Sequence, residues 1–264
     1  AQRGLFATTA RRLGTSERNV EKDFWVSLTL DILFNGLEPG GPRLLFKGGT
    51  SLSKAYGLIS RFSEDIDVTV FRDDLGEPGT VEALAAMSGN RRNMRLDAIR
   101  DACRAYINGP LLAQLKAAFS AVTAEANHPT AEVAGDPEDP TGQGLQVGYA
   151  SITSGDDGYI RPIVRIESGA KSALDPNAPR LLTPYVAADL PDTDFSIPGV
   201  VTVDPTRTFW DKVVILHGLR RWYDIRAELR QEGQRISRHY YDLYRLLESD
   251  VANAATDLAL GEDC

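Results

Sequence analysis

The stretch Phe46-Lys-Gly-Gly-Thr-Ser-Leu-Ser-Lys-Ala-Tyr-Gly-Leu-Ile-Ser-Arg-Phe-Ser-Glu-Asp-Ile-Asp-Val-Thr-Val-Phe71 decides the fold. It reads as the end of a strand predicted over Arg43–Lys47, a glycine pair, a short helix from about Ser51 to Leu58, and a second strand over Asp65–Phe71. Side chains alternate along a strand, so Asp65, Asp67 and Thr69 share one face while Ile66, Val68 and Val70 share the other. Two carboxylates on one face repel each other above an otherwise apolar strand. A hard divalent cation is the natural way to neutralise them: Mg2+, or Mn2+ in its place. Gly48 and Gly49 let the backbone turn tightly and present amide N–H groups at a helix start, where a phosphate binds well. Separately these signals are common, since Asp-x-Asp is usually a surface strand and Gly-Gly usually a plain turn. Joined by one short helix on neighbouring strands, they place an anion site beside a cation site, as a metal-bound triphosphate requires.

Outward from this segment, Ser16 is expected to cap a helix carrying Val20, Phe24, Trp25, Leu28 and Ile32, ending at the Gly36–Gly41 turn cluster. Asn90–Asn127 reads as helical, broken at Asn108, Gly109 and Pro110. His128–Gly158 is rich in Gly, Pro and Asp and is predicted as a long loop or a pair of short strands. Strands are expected again at Tyr159–Glu167 and Val200–Val203. Asp204 followed by Pro205 then signals a helix start, with the helix running to about Trp222 and a last helix over Ile236–Glu248. The division is a mixed domain over 1–203 and a helical part over 204–264. In the strand ending Arg-Ile-Glu-Ser168, Arg161, Arg165 and Glu167 share the polar face, and Pro162 marks an edge strand. On the Thr206–Trp222 helix, Lys212 falls inside the apolar arc of Phe209, Val213 and Leu216, so it needs an anionic partner such as Asp242 or a route to the surface.

A chain of 264 residues, 42% hydrophobic and 25% charged, has ample material for a core and excludes disorder. No apolar run approaches membrane-spanning length and the first residues lack a signal peptide, so a cytoplasmic protein without a membrane partner is expected. Cys103 and Cys264 offer no disulfide framework or metal knuckle, and His128 and His217 show no zinc cluster. The net charge of -8 argues against a surface basic overall. Between Pro205 and Arg245, however, Lys and Arg outnumber Asp and Glu nine to five, which suits either a solvated helical face or a local phosphate-binding patch.

The segment resembles the nucleotidyltransferase core of the DNA polymerase beta superfamily. More narrowly, Lys47-Gly-Gly-Thr-Ser-Leu and Arg61-Phe-Ser-Glu-Asp-Ile-Asp resemble the signature of the AbiEii toxins, related to the MenT toxins of bacterial toxin–antitoxin and phage-defence systems. The resemblance implies an α+β fold: a polymerase-beta-like core, with a mixed sheet flanked by helices, and a helical C-terminal part that completes the cleft. It implies transfer of a nucleoside monophosphate from an NTP to an acceptor, with tRNA or another RNA (the tRNA 3′ end) the favoured one and a cognate antitoxin protein as partner. Transfer to a protein or small molecule, and a non-catalytic nucleotide-binding module, are the alternatives. By the same resemblance Asp65 and Asp67 hold the metal, Gly48, Gly49, Thr50 and Ser51 hold phosphates, and Arg61 and Ser63 line the site. Lys212 meets the triphosphate. Asp242 matches an acid of the family's last helix, while His239 stands where another acid often stands and reads as a hydrogen-bonded core residue. Glu167 is a third ligand or general base with Arg165 beside it for a phosphate, unless the two are merely a surface pair.

Overall fold

The computed structural model describes residues 2–153, 161–228 and 233–262. Two N-terminal helices, α1 (Gln2–Leu13) and α2 (Glu17–Asn35), precede β1 (Leu44–Lys47), α3 (Gly48–Lys54) and β2 (Ile66–Val70). Next come α4 (Val81–Ala85), α5 (Gly89–Tyr106), α6 (Leu112–Glu125), β3 (Glu132–Gly135), β4 (Gly144–Gly148) and β5 (Ile163–Gly169). The chain ends with β6 (Asn177–Leu182), β7 (Ile197–Val203), α7 (Pro205–Arg226), α8 (Gly233–Leu247) and α9 (Leu258–Glu262). The strands form one mixed seven-stranded sheet ordered β3-β4-β5-β2-β1-β7-β6. This is the α+β architecture that the sequence led us to expect, a mixed sheet flanked by helices.

The quoted segment supplies the centre of that sheet. β1 and β2 run antiparallel, with Lys47 opposite Asp67, while β2 runs parallel to β5, with Asp67 opposite Glu167. Ile66, Val68 and Val70 are fully buried with Phe46, Val164 and Ile166 against α2, α5 and α6. Each such side chain contributes about 1.5–3 kcal/mol when removed from water, which pins the strand register. With the apolar residues held inward, Asp67 is left on the opposite face. Ser16 caps α2 by accepting from the Asn19 amide at 3.2 Å, and Asp204 caps α7 by accepting from the Thr206 amide at 2.9 Å. A second small core of Leu52, Ile59, Phe209, Leu246, Val251 and Ala254 ties α3 to α7 and α8.

Three local expectations are corrected, and one strand is added. The α5–α6 stretch does not leave helical structure at Asn108–Pro110: a wider π-helical turn at Ile107–Leu111 accommodates the proline's missing N–H, and the fully buried Ile107 and Leu111 anchor that turn in the core. The glycine pair forms the first residues of α3 rather than a turn before it, and α3 ends at Lys54. β5 begins after Pro162 and lies inside the sheet between β4 and β2, so it is no edge strand. Tyr159 and Ile160 lie outside the described residues. β6, absent from the sequence reading, is an edge strand carrying Pro179, which an edge tolerates.

Candidate active site

A cleft of about 490 Å3 opens between the polar face of the central strands and helices α7 and α8. Lys47, Gly48, Gly49, Asp65, Asp67 and Glu167 line it from the sheet side, with Arg61 and Ser63 from the loop leading into β2. Thr208, Asp211, Lys212, Val214 and Ile215 face it from α7, and Arg238 and His239 from α8. The sheet register sets a row across three strands: Lys47, Asp67, Glu167.

The two glycines are required where they stand. Gly48 has φ +78, a conformation that L side chains rarely adopt, and a Cβ there would lie 1.9 Å from Asp67 Oδ2. A Cβ on Gly49 would lie 2.5 Å from the Arg61 guanidinium and 3.1 Å from Ser63 Oγ. The glycine pair thus lets the backbone approach both the carboxylate and the arginine. Burial pushes the Asp67 carboxyl up to about 7, and the like charges of Glu167 and Asp65 add to this against the opposing pull of Lys47 and Lys212. A carboxylate so short of positive charge, with hard oxygen donors on Asp65 and Asp67, fits a divalent cation. Among the described residues no three His, Cys, Asp or Glu side chains form a ready-made metal cage. A cation here would take its remaining ligands from phosphate oxygens and water.

The facing wall is cationic and held by one acid. Asp242 is fully buried on α8 and accepts from Arg61 Nε and one of its terminal nitrogens, each at 2.7 Å. Lys212 Nζ stands 2.8 Å from Asp242 Oδ2. Burial alone would raise the Asp242 carboxyl, but the Arg61 hydrogen bonds and the Lys212 charge outweigh it and hold the group below its ordinary value. The sequence reading put Lys212 in the apolar arc with Asp242 as one possible partner, and the structure makes that pair. One anion shared by two cations leaves net positive charge toward the cleft, which complements a phosphate chain.

Not every expected residue reaches the cleft. Thr50 and Ser51 are fully buried beneath it: Thr50 Oγ1 donates to the Asp65 carbonyl and lies 2.9 Å from Ser63 Oγ, and Ser51 Oγ donates to the Gly48 carbonyl at 2.8 Å. Their hydroxyls tie the loop together instead of facing a phosphate. Arg165 shares a strand face with Glu167 but pairs with Glu138 and, at 3.6 Å, with Asp136, outside the cleft lining. Glu167 does line the cleft, as a surface pair with Arg165 would not. His239 is half-buried rather than a core residue: it borders the cleft, and its Nδ1 is buried without a hydrogen-bond partner among the described residues. Sequence reasoning missed Lys47, Ser172, Thr208, Asp211 and Arg238. For Lys47 the signal was present, because a residue preceding the glycine pair on β1 must sit beside the carboxylate strand. Lys47 Nζ donates to Ser172 Oγ at 2.8 Å.

A buried charged run on α2 holds the acidic side of the site in place. Glu21, Lys22 and Asp23 are each no more than 3% exposed. Glu21 accepts from the Ser151 and Thr153 hydroxyls and the Ile152 amide. Lys22 Nζ stands 3.2 Å from Glu64, the neighbour of Asp65, and donates to the carbonyls of Arg161 and Ile163 where β5 begins. Asp23 pairs with Lys54 of α3 at 2.6 Å and accepts from the Tyr185 amide.

The sequence matches the family described as nucleotidyl transferase AbiEii toxin, type IV TA system, over residues 31–263. No curated protein matches it. Among solved structures it is similar to MenT4, a nucleotidyltransferase toxin from Mycobacterium tuberculosis H37Rv, at 18% identity and a TM-score of 0.40, covering 79% of this chain and 57% of that one.

Proposed function

The chain belongs to the AbiEii family of nucleotidyltransferase toxins of type IV toxin–antitoxin systems, and from that premise we propose that its cleft transfers a nucleoside monophosphate from an NTP to an acceptor hydroxyl. The observation that carries this reading is the opposition of Asp65 and Asp67 on one wall to Arg61 and Lys212, gathered on Asp242, on the other. Carboxylates and cations face each other across a space of nucleotide size, with two glycines between them that leave room for phosphate oxygens.

Asp65 and Asp67 would hold Mg2+, whose charge, when bound, offsets that of the triphosphate. Gly48 and Gly49 let the β- and γ-phosphates lie against the backbone at the start of α3. Lys212 and Arg61 stabilise the charge that collects on the leaving pyrophosphate, with Asp242 holding both in the position that this demands. Glu167, beside Asp67 in the register, is placed to orient the acceptor hydroxyl or take its proton. In this reading residues 204–264 close the site that 1–203 builds. The favoured acceptor is the 3′ end of tRNA, in the cytoplasm, with a cognate antitoxin protein restraining the enzyme. In support, Lys and Arg are in excess between Pro205 and Arg245, and Arg220 and Arg238 lie on the helices beside the cleft. No described helix is long and apolar enough to cross a membrane.

The test is incubation with total tRNA and each α-labelled NTP in Mg2+, alongside Asp65→Ala and Asp67→Ala. Label on tRNA with the intact protein and loss of label with either variant, both still folded by circular dichroism, is the expected result. Label on protein or a small molecule would replace the acceptor. Absence of metal-dependent turnover with any acceptor would leave a nucleotide-binding module, and near wild-type turnover in either variant would discard the metal site.

A further inference from the structure

The two carboxylates of the Asp-x-Asp pair are held in place differently. Asp67 lies within the sheet, paired with Lys47 on one side and Glu167 on the other. Asp65 precedes Ile66, the first paired residue of β2, so the ladder does not reach it. Its stretch of chain is fastened from two helices instead. The Asp65 carbonyl accepts from the Thr50 hydroxyl on α3, and the adjacent Glu64 carboxylate stands 3.2 Å from Lys22 Nζ on α2. Asp65 lines the cleft and Glu64 does not.

Lys22 is committed in full to this corner. An ammonium has three donors. Lys22 Nζ donates to the carbonyls of Arg161 and Ile163, where β5 begins, and Glu64 takes the third. β5 runs parallel to β2 and brings Glu167 beside Asp67. One buried cation therefore joins the entry of β2 to the entry of β5, the two strands that carry the acidic wall. Its own helix is rigidly seated, since Val26, Leu30 and Leu33 lie in the core and Glu21 and Asp23 have buried partners.

Charge and stability do not account for a lysine here. The Lys22 ammonium interacts with the Asp65 carboxylate as well as with Glu64, so as a mere charge it would oppose a divalent cation bound beyond Asp65. A buried ion pair also adds little stability over apolar side chains of the same volume. Position does account for it. Resting on the nucleotidyltransferase reading and its metal site, we propose that Lys22 is a positioning residue for the cation: through Glu64 it aims Asp65, and through the two carbonyls it holds the start of β5 fixed relative to Asp65.

Mn2+ titration, followed by loss of the free-ion EPR signal at about pH 8 without nucleotide or acceptor, tests this. Lys22→Met and Glu64→Ala are each expected to weaken Mn2+ binding about tenfold, the lower end of what losing a partner behind a metal ligand does. Glu64→Gln keeps an acceptor oxygen for Lys22 and should stay within about threefold of the wild type, the effect of one part-exposed charge. Asp23→Leu with Lys54→Met, which removes the neighbouring buried pair of the same helix, should leave Mn2+ affinity unchanged. Metal-free binding of tripolyphosphate, a probe of the cationic wall alone, should be unchanged in every variant. Lys22→Met binding Mn2+ as well as the wild type or more tightly, as the loss of a mere counter-charge would, overturns the assignment. An equal loss in the Asp23/Lys54 variant overturns it as well, by showing a general loosening. Should Lys22→Met fail to fold by circular dichroism, the Glu64 variants decide: a loss in Glu64→Ala that Glu64→Gln restores supports the role, and equal affinities in the two overturn it. In all these cases Mn2+ binding by the wild type leaves the nucleotidyltransferase reading standing, whereas a wild type that binds no Mn2+ overturns the metal site and the positioning role together.

Discussion

At the scale of single residues, the site is defined by close approaches that leave no room for substitution. Gly48 stands against Asp67 and combines that approach with a positive φ. Gly48→Ala is therefore expected to cost about 1–3 kcal/mol in backbone strain and to displace the Asp67 carboxylate, lowering turnover by at least two orders of magnitude. Urea unfolding and initial rates measure the two effects separately. Asp67 yields a pH prediction. Its folded-state pKa, pushed up to about 7, exceeds its ordinary 3.8, so the metal-free folded protein binds a proton more readily than the unfolded chain does between those values. The contribution of Asp67 to stability consequently falls as pH rises from about 4 to about 7 and is flat above. Asp67→Asn should leave stability unchanged below pH 4 and raise it by about 1–3 kcal/mol at pH 8, after allowance for solvent screening. Mg2+ should raise the melting temperature of the wild type more at pH 8 than at pH 5.5. Equal Mg2+ shifts at both pH values would show that Asp67 does not hold the cation.

At the scale of elements, α2 does more than cover the sheet. Its Glu21-Lys22-Asp23 run reaches the 151–153 segment, the Glu64–Asp65 corner with the start of β5, and α3 with the Tyr185 amide. A helix with three adjacent charges would be read on sequence alone as turning that face to water. Here each charge is buried and matched. Removing one partner of a buried pair leaves the other uncompensated, a loss of about 3–5 kcal/mol, whereas replacing both by apolar groups is far less costly. Asp23→Asn should thus destabilise by that amount, and Asp23→Leu with Lys54→Met should recover most of it. A double-mutant cycle by chemical denaturation checks the coupling, and additive losses would show that Asp23 and Lys54 do not act as a pair. The break predicted at Pro110 failed for a related reason, because the packing of Ile107 and Leu111 outweighs a single missing hydrogen bond.

At the scale of the whole molecule, the sheet and the C-terminal helices meet at Asp242, which receives Arg61 from the loop before β2 and Lys212 from α7. Asp242→Asn is expected to lower stability by about 3–5 kcal/mol and to weaken tripolyphosphate binding, since both cations lose the anchor that aims them. Unchanged tripolyphosphate affinity would place Arg61 and Lys212 outside the phosphate site. The charge distribution acts at the same scale. The chain carries a net charge of -8, yet the segment from Pro205 to Arg245 is locally basic. If an RNA acceptor docks there, transfer should fall by an order of magnitude or more between about 50 and 200 mM salt, while transfer to a small acceptor would hardly change.

The sequence by itself determined the strand–glycine–helix–strand order, the shared facing of Asp65 and Asp67, the caps at Ser16 and Asp204, and the anomaly of Lys212. All of these rest on local chemistry: alternation along a strand, a proline after a capping acid, a charge on an apolar arc. Only the tertiary structure decided that β5 lies inside the sheet, which brings Glu167 beside Asp67 and leaves Arg165 outside the cleft with Glu138. It also decided that Thr50 and Ser51 turn inward, that Lys47 joins the carboxylate row, and that His239 borders the cleft. Those placements depend on register and on which elements pack together, and burial energy summed over contacts distant in sequence sets both.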